Sequence, residues 1–162
     1  LTEKERIRKL GKCIESGASY VDLELEAGEN TFRNISEMAK KDNCRLIVSY
    51  HNHEGTPSSA ELKNIYKLCL KKGADIVKIA CNANSVSDNA ILLSLYDDEK
   101  ISEKGGLIVI GMGEIGKVTR LAIPLLGAPF TYASIEKSKE TADGQIEKST
   151  LEKIYKLIKD EK

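Results

Sequence analysis

The sequence has no surplus of charge of one sign and no apolar run of membrane-spanning length. It carries 25 Lys and Arg residues against 25 Asp and Glu residues, so its formal net charge is zero. Because phosphate binding needs a basic surplus, this balance argues against nucleic acid or an anionic membrane as a partner. The longest apolar runs, such as residues 107–110, have the length of a strand. No signal-peptide pattern opens the chain. We therefore expect a cytoplasmic protein without nucleic-acid or membrane partners.

The four cysteines also lack the spacing of a metal site or a disulfide framework. They stand singly in the sequence, with no CxxC pair and no neighbouring pair of histidines. This usage is typical of a reducing compartment. We expect all four to be buried or half-buried thiols: Cys13, Cys44, Cys69 and Cys81.

No low-complexity tract and no linker rich in Pro or Gly divides the 162 residues. The length suits one domain, and a domain of this size buries roughly 70% of the surface of its unfolded chain. With 41% apolar and 31% charged residues, the composition is that of a globular protein. We expect residues 1–162 to form a single domain.

Short apolar segments alternate with amphipathic ones along the whole chain. Segments rich in Val, Ile, Leu or aromatic residues predict five strands, at Tyr20–Leu25, Arg45–Tyr50, Asp75–Ala80, Leu107–Met112 and Phe130–Ser134. Apolar residues spaced three and four apart predict six helices, at Glu3–Glu15, Thr31–Lys41, Ser58–Lys72, Val86–Tyr96, Lys117–Leu126 and Ser149–Asp160. This alternation predicts βα units and a parallel sheet.

The polar residues inside the strands favour a barrel over an open doubly wound sheet. A parallel strand covered on both faces is nearly all apolar, yet Asp22, Glu24 and Lys78 occupy alternate positions. Polar groups on one face and aliphatic groups on the other suit a (β/α)8 TIM barrel with chemistry inside it. A full barrel usually needs roughly 250 residues, so we expect this chain to cover about the last five βα units.

Lys78 is the most informative residue. It lies in an aliphatic strand with Ile76 and Ala80 as same-face neighbours, where a charged amine is costly to bury. Burial favours the neutral amine that Schiff-base chemistry requires. The alternative is a lysine at a strand end that reaches solvent or pairs with an acid.

His51 follows the preceding strand at its carboxyl end, where barrel enzymes place their catalytic groups. An imidazole both removes and returns a proton near neutral pH. His53 is the other histidine and competes for this role, and the alternative for either ring is to cap the following loop. Together, a histidine and an isolated lysine on adjacent strand ends indicate carbonyl condensation with acid–base catalysis.

Five separated blocks, with VDLEL at residues 21–25, resemble type I 3-dehydroquinate dehydratase in order and spacing. They are SYHNHEGTPSSAEL, ADIVKIA, GMGEIGKVTR, FTYAS and ADGQ. The resemblance implies a (β/α)8 barrel of the shikimate pathway that dehydrates 3-dehydroquinate to 3-dehydroshikimate through an imine. It implies a homodimer, the small-molecule substrate as partner, and neither a metal nor an organic cofactor, because the protein's own amine forms the imine.

The resemblance also implies roles for individual residues. Lys78 matches the imine-forming lysine, and His51, not His53, matches the catalytic histidine because Thr-Pro follows it five residues on. Arg120 matches the arginine that binds the substrate carboxylate. The remaining substrate-binding positions fall on the closing loop and the ring pocket, at Thr141, Gln145, Met112 and Tyr132. Glu24 is expected to belong to a structural polar network.

Several positions depart from the family pattern. Asp143 stands where the family has proline, which leaves the closing loop less rigid, and Thr141 replaces a serine. Asn52 and His53 replace Asp-Phe. The Glu-x-Arg pair of the first family strand and the Arg…Glu-Gly-Gly segment after the third have no counterpart. We therefore expect the carboxyl-terminal five-eighths of a dehydratase, inactive alone unless another chain completes it.

Two other hypotheses remain at this point. One is a non-catalytic module that senses a shikimate or quinate metabolite, although a sensor has no need of both Lys78 and His51. The other is a different lysine-imine barrel such as an aldolase, which the Ser-x-His…Thr-Pro block and the Gly-Gln loop disfavour. A biosynthetic and a quinate-degrading role are both compatible with the resemblance.

Overall fold

The computed structural model describes residues 2–98, 106–136 and 139–160. The helices and strands alternate through most of the chain. In order they are α1 (Glu3–Glu15), β1 (Tyr20–Glu24), α2 (Glu29–Lys41), β2 (Arg45–Asn52), α3 (Ser59–Lys71), β3 (Ile76–Asn82), α4 (Val86–Leu93), β4 (Gly106–Met112), α5 (Lys117–Ala122), β5 (Ala133–Ser134), β6 (Ile146–Glu147) and α6 (Lys148–Asp160). Single 3₁₀ turns continue α4 over Ser94–Asp97 and α5 over Ile123–Leu126.

Three helices begin with the hydrogen-bonding pattern that the sequence encodes. Thr2, Ser58 and Ser85 each accept a bond from the backbone N–H three residues later, and the acidic side chain there bonds back to the cap. Such reciprocal capping satisfies backbone donors that the first turn leaves unpaired. It fixes where α1, α3 and α4 begin.

Strands β1 to β4 form one parallel sheet in sequence order. Val48 of β2 is in register with Leu23 of β1 and with Val77 of β3, and Val77 is in register with Leu107 of β4. The predicted α/β architecture with a parallel sheet is therefore confirmed for these strands. Sequential parallel pairing brings the carboxyl ends of all four strands to the same edge.

The outer face of the sheet carries the main hydrophobic core. The side chains on this face are aliphatic and buried against the helices, as predicted, and they include Val21, Leu23, Leu46, Val48, Val77, Ile79, Leu107 and Val109. They pack on Ile14 of α1, Phe32 and Ile35 of α2, and Leu62 of α3. This packing holds the strands in one register, so the opposite face is presented as a rigid surface.

The inner face carries a second, smaller core. It contains Ile76 and Ala80, the predicted neighbours of Lys78, together with Ile47, Ile108, Ile110 and Met112. The segment around Phe130 and Tyr132 packs against it. The Phe130 ring also meets the Tyr20 ring of β1 edge to face, with centroids 5.3 Å apart. The chain after α5 therefore crosses over the inner face towards β1.

Two expectations need correction. The predicted fifth strand, Phe130–Ser134, is reduced to the two residues of β5, which pair in parallel with β6 in a separate two-stranded sheet. Aromatic packing of residues 130 and 132 on the inner face takes the place of ladder pairing there. Cys13 is exposed, unlike Cys44, Cys69 and Cys81, because α1 buries its Gly11 and Ile14 face instead.

None of the helices in the described ranges is both long enough and apolar enough to cross a bilayer.

Candidate active site

A cavity of about 430 Å³ opens over the inner face, and all seven site residues predicted from the sequence line it. They come from β2, β3, β4, α5 and the chain that follows: His51, Lys78, Met112, Arg120, Tyr132, Thr141 and Gln145. The remaining wall is formed by Glu24, His53, Ala80, Ile110 and Ala142. Residues spread over 95 positions of sequence thus meet in one place because the parallel strands end together.

Lys78 projects from the middle of β3 into this cavity. Its side chain is 12% exposed, and its Nζ lies 3.0 Å from Oδ2 of Asp22 on β1. The same nitrogen is 5.1 Å from the centroid of the Tyr132 ring. The amine is therefore held inside the site and not in bulk water. Of the alternatives that the sequence left open for Lys78, the contact with Asp22 is the pairing with an acid.

His51 lies near the carboxyl end of β2 with its ring oriented by a carboxylate. Its Nδ1 is 2.9 Å from Oε2 of Glu24, the last residue of β1. A carboxylate that accepts a bond from Nδ1–H fixes the tautomer and leaves Nε2 free to act on protons. Glu24 was expected to be structural, and this contact assigns it a direct role in orienting His51.

The second histidine lies on the same wall. The His53 ring is stacked on that of His51, with centroids 6.3 Å apart and planes 10° from parallel. It is more exposed than His51. The Nδ1 contact to Glu24 belongs to His51, so the geometry separates the two rings as the sequence spacing does.

Arg120 of α5 is the most buried charged side chain of the site, at 1% exposure. One guanidinium nitrogen, Nη2, donates to the carbonyl of Asp143 at 3.2 Å. Its Nε has no hydrogen-bond partner among the residues that the structure describes. Burial lowers the pKa of this guanidinium. An almost fully buried cation with an unused donor at a cavity wall is arranged to receive an anion.

The loop carrying Thr141 and Gln145 closes on itself. The Gln145 amide oxygen accepts from the Thr141 N–H at 3.0 Å, and the Gln145 amide nitrogen donates to the Thr141 hydroxyl at 3.1 Å. Gly144 has a φ of 75°, and a side chain there would collide with the backbone of Gly113 at the end of β4. Glycine is required at position 144 to bring this loop down on the cavity.

Met112 and Tyr132 form the apolar wall. Met112 is the last residue of β4 and is 8% exposed. Burial, with a smaller contribution from the nearby Asp22 carboxylate, raises the pKa of the Tyr132 phenol to about 12. The phenol is therefore neutral at physiological pH, and its ring offers a face to a cation or a ring-shaped ligand.

The sequence reasoning missed two contacts, Asp22 with Lys78 and Glu24 with His51. The signal for both was present, because residues two apart on a strand point to the same face. Over the part of the chain that the structure describes, no group of three His, Cys, Asp or Glu side chains is placed to hold a metal ion.

Comparison with known proteins gives a consistent result. The family model described as Type I 3-dehydroquinase matches residues 1–162. The chain is 35% identical over 159 residues to the 3-dehydroquinate dehydratase of Dehalococcoides mccartyi, covering 97% of this chain and 68% of the relative. It is 38% identical over 159 residues to that of Methanocaldococcus jannaschii, covering 96% and 68%.

Solved structures of the same name share the fold. The 3-dehydroquinate dehydratase of Geobacillus kaustophilus superposes with a TM-score of 0.88 at 30% identity, over 99% of this chain and 62% of that chain. That of Aquifex aeolicus gives a TM-score of 0.77 at 32% identity, over 98% and 67%. This chain thus spans about two thirds of the length of the proteins that it resembles.

Proposed function

Because this chain belongs to the type I 3-dehydroquinase family, we propose that its site dehydrates 3-dehydroquinate to 3-dehydroshikimate, a lyase step of the shikimate pathway. The observation that carries the proposal is the convergence of Lys78, His51 and Arg120 on one cavity. An amine, a proton-transferring ring and a buried cation are what a carboxylated hydroxyketone needs for elimination of water by way of an imine.

In this mechanism Lys78 is the nucleophile. Its amine adds to the substrate ketone, and loss of water gives a protonated imine. The cationic nitrogen withdraws electrons from the adjacent carbon and so acidifies the proton on it. The position of Nζ inside the cavity supports this role, since a 12% exposed side chain is screened from bulk water.

His51 is the acid–base residue. It takes the proton from the carbon beside the imine and returns a proton to the leaving hydroxyl, so that its own protonation state is restored. Glu24 stabilises the imidazolium formed between these two steps, because its carboxylate lies 2.9 Å from Nδ1. Water then hydrolyses the product imine and releases Lys78.

Arg120 binds the substrate carboxylate through its guanidinium group, whose planar set of donors matches a carboxylate. Thr141 and Gln145 then exchange their mutual hydrogen bonds for bonds to substrate hydroxyls. Met112 and Tyr132 contact the carbon ring. No metal or organic cofactor takes part in the proposed steps.

The finer architecture belongs to the same proposal. The parallel sheet with a polar inner face supports a (β/α)8 barrel of which residues 1–162 form one domain and supply about the last five βα units. We propose that the complete barrel acts as a homodimer in the cytoplasm. The chain covers 62% to 68% of the length of the proteins compared above, which is compatible with such a division.

Trapping of the imine tests the proposal. The chain is mixed with 3-dehydroquinate and borohydride, and peptides are mapped by mass spectrometry. A reduced adduct on Lys78, absent from a Lys78→Met variant, is the expected result. An adduct on another lysine, or none, would overturn the imine mechanism. Thermal stabilisation by 3-dehydroquinate without any adduct would instead favour a metabolite-binding module.

A further inference from the structure

Strand β1 places two carboxylates on the inner face, and each contacts a different reactive side chain. Asp22 and Glu24 are two residues apart, so their side chains leave the strand on the same side. Glu24 contacts Nδ1 of His51 at 2.9 Å, whereas Asp22 contacts Nζ of Lys78 at 3.0 Å. The strand therefore supplies one acid to the ring and one to the amine.

The strand register makes the choice of acid specific. Lys78 is level with Ser49 of β2, and Ser49 is level with Glu24 of β1. The amine nevertheless pairs with Asp22, which lies two residues nearer the amino-terminal end of β1 than Glu24 does. The Lys78 side chain thus points towards the amino-terminal end of β1, and Glu24 remains available to His51.

We propose that Asp22 is the positioning residue of Lys78 and the counter-ion of its nitrogen throughout imine formation. This inference rests on the function proposed above and deepens it. Asp22 reaches substrate only through Lys78, since it is not part of the cavity wall.

The chemistry explains why one carboxylate is enough for every proton transfer in imine formation. The ammonium of Lys78 first gives a proton to Asp22, and the neutral amine forms a C–N bond to the ketone carbon. Transfer of a proton from nitrogen to the new alkoxide gives a carbinolamine. Asp22 then returns its proton to the Lys78 nitrogen, a proton passes from that nitrogen to the hydroxyl, and the hydroxyl leaves as water while the C–O bond breaks. Ammonium and ketone have become protonated imine and water, with one positive charge on nitrogen before and after.

The other groups around the amine do not replace this acid. The neighbouring phenol of Tyr132 is neutral at physiological pH because burial raises its pKa to about 12. Arg120 and a protonated His51 are cationic, and Glu24 is engaged with His51. In the described parts of the chain, Asp22 is the carboxylate paired with Lys78.

The first test needs no substrate. Trace acetylation of Lys78 is followed against pH in the wild type and in Asp22→Asn, Asp22→Glu and Glu37→Gln. Asp22→Asn should label Lys78 faster at pH 7, because Nζ loses the carboxylate that holds it at 3.0 Å and is free to react with the reagent. Asp22→Glu should retain the wild-type labelling profile, since it keeps a carboxylate next to the amine.

Glu37→Gln is the matched control, because it removes the same charge from the exposed side of α2. It should leave the Lys78 labelling profile unchanged. Circular dichroism checks that Asp22→Asn is folded. If it is not, the labelling profile of Asp22→Glu decides, because it keeps the charge and should match the wild type. A wild-type labelling profile in Asp22→Asn, or a shift equally large in Glu37→Gln, would overturn the proposal.

The second test uses 3-dehydroquinate and borohydride. Asp22→Asn should form the Lys78 adduct more slowly than the wild type, because the carboxylate that takes and returns the proton of the nitrogen is gone. If the wild type forms no adduct, the proposed function fails. If the wild type forms it and Asp22→Asn forms it at the same rate, the inference about Asp22 fails on its own.

Discussion

Nδ1 of His51 lies 2.9 Å from Oε2 of Glu24, so the carboxylate at the end of β1 fixes the ring at the end of β2. In the complete barrel, the form to which this and the next prediction apply, we expect Glu24→Gln to lower turnover of 3-dehydroquinate about 10- to 100-fold, because an amide neither stabilises the imidazolium nor selects its tautomer. Steady-state kinetics should show the loss in kcat with little change in KM. A 10- to 100-fold rise in KM with an unchanged kcat would contradict the orienting role.

The two histidines provide a direct comparison. His51→Ala should lower the rate of dehydration about 10²- to 10⁴-fold, which is the usual contribution of a general acid–base group. His53→Phe should change it only a few-fold, since the His53 ring is stacked on His51 but the Glu24 contact belongs to His51. Both variants are assayed by the absorbance of the conjugated product. Greater loss in His53→Phe would reverse the assignment.

Arg120 combines near-complete burial with a donor, Nε, that has no partner in the described parts of the chain. Arg120→Met should abolish the thermal stabilisation given by quinate, which has the carboxylate but no ketone. The unliganded variant should be as stable as the wild type or more so, because replacing a buried charge by an apolar group of similar size removes a desolvation penalty. Thermal melts with and without quinate measure both effects. Undiminished stabilisation by quinate would exclude Arg120 as the carboxylate site.

The turn after β4 depends on a close approach of two glycines. A Cβ on Gly116 would collide with the carbonyl group of Gly111. Gly116→Ala should therefore lower the free energy of unfolding by about 1–3 kcal/mol, the usual cost of overpacking. Gly28→Ala is the control, because its φ is −61° and no atom of the described residues lies within 4 Å of its Cβ position. Urea unfolding measures the stability of both variants. Equal stability of Gly116→Ala and Gly28→Ala would contradict the close contact between Gly116 and Gly111.

Two buried thiols make the fold sensitive to alkali. Burial raises the pKa of Cys69 and of Cys81 to about 12 from an ordinary value of 9.0. Between pH 9 and pH 12 these thiols ionise in the unfolded chain but stay protonated in the folded one. The free energy of unfolding therefore contains their full contribution below pH 9 and loses it as the pH rises towards 12. Urea unfolding at pH 8 and pH 10.5 should show a lower free energy at the higher pH.

Cysteine accessibility provides an independent check of the same burial. Cys13 is exposed, so it should react with a thiol reagent at once, whereas Cys44, Cys69 and Cys81 should react only when the chain unfolds. Rapid labelling of more than one thiol in the native chain would contradict the burial of Cys44, Cys69 and Cys81.

Much of the fold follows from local pattern. The spacing of apolar residues predicts the helix at Glu3–Glu15, and the capping residues Ser58 and Ser85 mark where α3 and α4 begin. Strand position 78 was identified from a charged residue among aliphatic neighbours. The seven predicted site residues line one cavity because they follow parallel strands or their connections. The helices and strands depend on short-range periodicity, which the sequence contains in full, whereas five of the seven site residues were predicted from the family resemblance and not from local pattern.

What the sequence alone determined is the alternation of helices and strands, the polar inner face and the residue types of the site. Only the tertiary structure decided which acid meets which base, that is, Asp22 with Lys78 and Glu24 with His51. It also decided that residues 130–132 pack across the inner face and do not extend the sheet. These choices depend on strand register and on the direction of long side chains. Both are set by packing between segments far apart in sequence, which no local pattern records.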